Sequence, residues 1–104
     1  MAVLNVTDQT FTAETNNGIV LADFFATWCG PCKMIAPVLE DLDQDMGYQV
    51  KIVKVDVDQN QETANIFGIM SIPTLLVMKD GKVVDTLVGF KPKEALEEAL
   101  NKHI

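Results

Sequence analysis

The sequence has 104 residues, with 15 Asp and Glu set against 8 Lys and no Arg, for a formal net charge of −7. That length suits one domain over 1–104, and 48% hydrophobic with 22% charged residues excludes a disordered chain. No apolar run reaches membrane-spanning length, Met1 to Asn5 shows no secretory signal, and an acidic chain without Arg is ill suited to phosphate backbones or anionic membranes. The expectation is a cytoplasmic monomer with no nucleic-acid and no membrane partner.

Residues 2–6 read as a short strand, and Thr7 is placed to cap a helix over about 8–15. Ile19 to Phe25 is apolar except for Asp23, which suits a strand buried on both faces. After Ala26-Thr27-Trp28-Cys29-Gly30-Pro31-Cys32 a long helix follows, with Ile35, Val38, Leu39, Leu42 and Met46 on one face and a bend expected at Pro37. Glu40, Asp41, Asp43 and Asp45 crowd its second half against the helix dipole and read as a solvated face. Val50 to Val57 is β-branched and reads as a strand, with Asp56 and Asp58 marking its end and the next turn. A helix near 60–67 stops at Gly68. Thr74 to Met78 and Lys82 to Val88 flank Lys79-Asp80-Gly81, a hairpin signal. Pro92 fits the first turn of a last helix, in which Leu96, Ala99 and Leu100 form the apolar stripe and Glu98 is spaced to pair with Lys102. His103 reads as a solvated residue in its last turn. Met34, Met46, Met70 and Met78 read as core or rim fillers.

The order β-α-β-α-β-α-β-β-α implies an α/β fold, a central mixed sheet with a parallel core, an antiparallel closing hairpin and helices on both faces. In such sheets chemistry collects beyond the C-terminal ends of the strands, which is where Cys29 and Cys32 fall. Two thiols and one imidazole are too few for a zinc site within one chain, so no metal is expected. The Cys-x-x-Cys spacing places both sulfurs within one turn of a helix. A disulfide across so small a loop adds only about 2 kcal/mol on chain entropy, so it is better explained as a bond that opens and closes. At a helix N-terminus, free amides and the positive dipole end favour a thiolate. Cys29, at the helix mouth, is the expected nucleophile, and Cys32, one turn in, the resolving thiol. Two inert reduced cysteines are the bland alternative. The position between an apolar strand and an amphipathic helix favours the functional reading.

Trp28-Cys29-Gly30-Pro31-Cys32-Lys33, with Ile72-Pro73-Thr74 and the layout around them, resembles the thioredoxin family over essentially the whole chain. The resemblance implies a thioredoxin fold and a general protein-disulfide reductase. Its cofactor is none bound, its redox group is the Cys29–Cys32 disulfide, and a flavin-dependent thioredoxin reductase drawing on NADPH restores the dithiol. It assigns Asp23 to deprotonating Cys32, against the plainer alternative of a strand-end Asp facing water, and it makes Lys54 a partner of Asp23 if their strands are neighbours. It makes Pro73 a cis proline facing the cysteines, whereas most X-Pro bonds are trans. Gly30 and Pro31 tune the pair, and Trp28, Ile72, Pro73, Val88 and Gly89 form a docking rim for extended substrates. One departure is Phe25, where many members carry a second Trp. Two rival readings remain: an oxidase or isomerase of the same fold, disfavoured by Gly30-Pro31, and a redox-gated binding module or assembly subunit using the apolar rim around Trp28. An iron–sulfur dimer sharing cysteines between chains is more remote.

Overall fold

The computed structural model describes residues 2–104. Nine elements follow in chain order: β1 (Leu4–Val6), α1 (Phe11–Thr15), β2 (Ile19–Phe25), α2 (Gly30–Met46), β3 (Val50–Asp56), α3 (Gln61–Ile66), β4 (Thr74–Lys79), β5 (Lys82–Val88) and α4 (Lys93–Asn101). The five strands lie in the order β1-β3-β2-β4-β5. β3 pairs in parallel with β1 and β2, whereas β4 pairs antiparallel with β2 and β5. This is the mixed sheet expected from the pattern, with β2 at its centre.

Because successive side chains of a strand alternate in direction, β2 feeds two cores. Leu21 packs with Ile35, Leu39 and Leu42 of α2 and with Leu96 and Leu100 of α4. Val20, Ala22 and Phe24 face the other way, onto Phe11 and Ala64 from the α1 and α3 side. Asp23 has the parity of Leu21, so its carboxyl enters the core beneath α2. The helix above it runs through Pro37 as one element to Met46.

Several local expectations need correcting. α1 starts at Phe11 and not at residue 8, because the Thr7 carbonyl first closes a turn by accepting from the amides of Thr10 and Phe11, at 3.1 and 2.9 Å. Thr7 thus acts through its backbone and not as a side-chain cap. Pro92 is the N-cap of α4 and not a first-turn residue, and its carbonyl accepts from Ala95 and Leu96. The acidic second half of α2 is not simply solvated. Asp43 is buried, and Asp41 and Asp45, one turn apart, both pair with Lys93 at the start of α4. That cation supplies the positive charge missing from the last turn of α2 itself. Glu98 and Lys102 form no ion pair among the described residues, and Lys102 is the C-cap of α4. His103 lies past the helix end, where its carbonyl accepts from Lys79 Nζ at 3.2 Å. Met46 and Met78 are buried as expected, whereas Met34 and Met70 are exposed. The hairpin holds: Asp80 and Gly81 both have positive φ, as a two-residue turn matched to strand twist requires.

Candidate active site

β2 ends at Phe25, and the chain turns at once. The Ala26 carbonyl accepts from the Cys29 amide at 3.3 Å, which brings Cys29 to the N-cap of α2 with extended backbone angles. Pro31 sits in the first helical turn, where its missing N–H has no intrahelical partner to lose. The Cys32 amide donates to Cys29 Sγ at 3.2 Å, and the Lys33 amide to the Cys29 carbonyl at 3.2 Å. The two cysteines are joined in a disulfide, with their Cα atoms 5.2 Å apart. An amide aimed at a sulfur stabilises negative charge there, and the helix dipole acts in the same direction. Both of these effects fall on Cys29. Exposure does not separate the pair, because each cysteine is only 4% exposed in this disulfide form. Their asymmetry lies in the cap geometry.

Opposite the disulfide stands the segment entering β4. Cys29 Sγ lies 3.9 Å from the Ile72 carbonyl oxygen, and the Ile72-Pro73 peptide is cis. Pro73 is buried, and its carbonyl accepts from the Gly89 amide at 2.8 Å. Gly89 has φ +86, a conformation that a side chain would strain, and it follows directly on Val88, the last residue of β5. Neither the amide nor the carbonyl of Ile72 has a backbone partner among the described residues. Trp28, Gly30 and Pro31 are exposed on the near side of the disulfide. The residues expected to form a rim therefore do lie around the cysteine pair.

Asp23 is fully buried, and neither of its carboxylate oxygens has a hydrogen-bond partner among the described residues. Burial pushes its carboxyl up from 3.8 to about 7, and the nearby Lys54 charge only partly offsets this. Lys54 is the register partner of Asp23 across β2 and β3, so the two strands are neighbours as expected. No direct ion pair forms, however. The Lys54 ammonium lies over the Phe25 ring, 4.5 Å from its centroid, where the aromatic face holds a cation near the surface. A pocket of about 210 Å³, lined by Phe25, Ala26, Thr27, Cys32, Lys33, Ala36 and Lys54, opens beside the inner cysteine.

One contact at the site has no local sign in the sequence. Asp58 is not only a turn residue: its Oδ2 accepts from Trp28 Nε1 at 2.8 Å. The turn that presents it is closed by Asp56 Oδ1, which accepts from the amides of Asp58 and Gln59. Nothing in the local pattern around Asp58 points to Trp28, which is 30 positions away.

The chain matches the Thioredoxin family model over residues 2–102. It belongs to the thioredoxin family. It is 71% identical over 104 residues to a thioredoxin of Bacillus subtilis, with both chains covered in full. It is also 58% identical over 102 residues to a thioredoxin of Listeria monocytogenes, covering 98% of this chain and 99% of that one. A thioredoxin of Staphylococcus aureus is 56% identical over 104 residues, again over the full length of both. The fold is the thioredoxin fold, and the protein is a thiol–disulfide oxidoreductase whose redox centre is the Cys29–Cys32 pair. The two sulfurs carry the electrons themselves, so the exchange needs no bound cofactor. Among the described residues no cluster of three or more His, Cys, Asp or Glu is placed to hold a metal, and no helix is long and apolar enough to cross a membrane.

Proposed function

We propose that residues 1–104 act as one monomeric domain in the cytoplasm, reducing disulfides in many proteins with unequal roles for the two cysteines. The Cys29 thiolate attacks one substrate sulfur, and the other leaves as a thiolate. A mixed disulfide between Cys29 and the substrate results. Cys32 then gives its proton to Asp23 and attacks Cys29 Sγ. The second substrate thiolate leaves, and the chain keeps the Cys29–Cys32 disulfide. Two electrons have passed to the substrate. A flavin-dependent thioredoxin reductase returns them from NADPH.

The observation that carries this reading is the cap geometry, in which the Cys32 amide and the start of α2 both favour charge on Cys29. The role of Asp23 is supported by its burial beneath α2 without a partner, which leaves it ready to take a proton near neutral pH. Lys54, Gly30 and Pro31 tune the pair through charge and backbone. Substrates dock as extended chains along Trp28, Ile72, Pro73, Val88 and Gly89. The free main-chain groups of Ile72 support this, because they can bond a visiting strand. Nucleic acids and membranes are not among the proposed partners.

The test is NADPH consumption by thioredoxin reductase with a model protein disulfide such as insulin. Turnover that requires both cysteines is expected. Turnover retained in the Cys29→Ser, Cys32→Ser double variant would overturn the proposal, and unaltered partner binding without any turnover would favour the binding-module reading.

A further inference from the structure

The disulfide form of this chain holds no free thiol among its described residues, so its peroxide-reactive sulfurs are thioethers. They are far from equivalent. Met46 and Met78 are buried, Met34 is 60% exposed, and Met70 is 96% exposed. Met70 sits two residues before Ile72, on the wall of an apolar groove of about 460 Å³ shared with Ile66, Phe67, Val83 and Val88. Val88 belongs both to this groove and to the rim beside Pro73. A change of polarity at Met70 therefore falls on surface continuous with the docking rim, whereas Met34, on α2, does not line the groove.

We infer that Met70 is a reversible oxidation site at which a peroxide turns part of the substrate-docking surface from apolar to polar. The thioether sulfur attacks one peroxide oxygen, the O–O bond breaks, an S–O bond forms, and water leaves after proton transfer. The sulfur is oxidised by two electrons and the peroxide reduced by two. A methionine sulfoxide reductase reverses the change, with a dithiol as electron donor. The sulfoxide is strongly polar, and a bound apolar substrate side chain would desolvate it without giving it a hydrogen bond. Docking weakens while the cysteine chemistry, which lies on other elements, is untouched. This consequence rests on the disulfide-reductase reading above, whereas the modification itself does not.

The experiment treats the disulfide form with hydrogen peroxide, maps sulfoxide at each methionine by peptide mass, and then measures insulin reduction driven by dithiothreitol. Among the four described methionines, Met70 is expected to oxidise first, Met34 next, and Met46 and Met78 last. KM should rise about three- to tenfold with kcat unchanged, as expected for one uncompensated polar group at a contact. Peroxide sensitivity should vanish in Met70→Leu and persist in Met34→Leu. Oxidation of Met46 or Met78 as fast as Met70, or an unchanged KM with Met70 fully oxidised, would overturn the inference. If the untreated chain fails to reduce insulin, the proposed function fails, and the peptide map still decides whether Met70 is the modified residue.

Discussion

Asp8 and Asp23 sit in two regions that treat a carboxylate in opposite ways. Asp8 joins α1's leading turn to α3. Its Oδ1 accepts from the Thr63 amide and hydroxyl, at 2.8 and 2.6 Å, while its own amide donates to Asn60 Oδ1 at 2.9 Å. These bonds, the Thr63 hydroxyl foremost, hold the Asp8 carboxyl below its ordinary value. Asp23 has no such partner, and burial drives it the other way, to about 7. Where only the joining of two helices is at stake, the polar groups are satisfied. Beneath α2, one is left unsatisfied, and burial raises its carboxyl towards neutral pH. Changes at the first region should therefore move stability and leave activity, whereas changes at the second should move activity as well.

The sharpest break of that contrast is at the cysteines. Cys29→Ser should abolish attack on a protein disulfide. Cys32→Ser should still attack but not resolve, so covalent mixed disulfides accumulate and turnover falls to the uncatalysed level. Stability should change by no more than about 2 kcal/mol, the chain-entropy value of so small a loop. Equal trapping by the two variants on a denaturing gel would show that the cap geometry does not set the order of reaction.

Asp23→Asn should slow the resolving step roughly a hundredfold near pH 7, at the low end of what a positioned proton acceptor contributes. Its effect on stability has a definite sign. Below about pH 3.8 the carboxyl is protonated in both folded and unfolded chains and imposes no penalty. Between 3.8 and about 7 the unfolded chain ionises first, so stability falls as pH rises. Above that window the loss is complete, at about 4 kcal/mol for a rise of this size. Asp23→Asn should not show this decline. For Asp8 the slope is reversed: its contribution is present above the ordinary carboxylate range and is lost as pH falls through its lowered value. Denaturant titrations from about pH 2 to pH 8 check both slopes, and a flat wild-type profile above pH 4 would mean that Asp23 is solvated.

How far these features can be read from sequence depends on the distance over which they form. The strand, the Cys-x-x-Cys turn and α2 are contiguous, so apolar period and cap chemistry exposed them together. Asp23 stood out because it interrupts a run of seven strand residues. The Asp8–Thr63 clasp, 55 positions apart, had no such local sign, nor did the Lys93 pairs that reach back to α2 from α4. Lys54 was half legible. Its pairing with Asp23 was expected only if β2 and β3 are neighbours, which they are, but its preference for the Phe25 face over a direct pair depends on a side-chain path that no pattern encodes.

Thr63→Val tests the first region with little change of shape. It removes the hydroxyl that donates to Asp8 and keeps the backbone bond. One lost hydrogen bond at a buried residue should cost about 1 kcal/mol and lower the Tm by about 5 °C. Insulin reduction at 25 °C should stay within about twofold of the parent, since no atom of the disulfide site moves. A drop in turnover without a drop in Tm would break the division between the two regions.

The smallest effect is expected where the two kinds of region meet, at Asp58. Its carboxylate is exposed and satisfied, yet its partner is the Trp28 indole on the proposed docking rim. In Asp58→Ala the indole N–H is left facing water, so no buried donor is stranded and folding should be unchanged. What is lost is orientation. Trp28 is the only Trp in the chain, so its fluorescence anisotropy reports its freedom directly. Anisotropy should fall, and KM for a protein disulfide should rise about twofold with kcat unchanged, as loosening of a contact made equally in ground and transition states requires. Asp58→Asn keeps an acceptor oxygen in nearly the same place and should restore both readings. Unchanged anisotropy in Asp58→Ala would mean that packing alone holds the indole. A fall in kcat would mean instead that Trp28 acts on the sulfur chemistry and not only on docking.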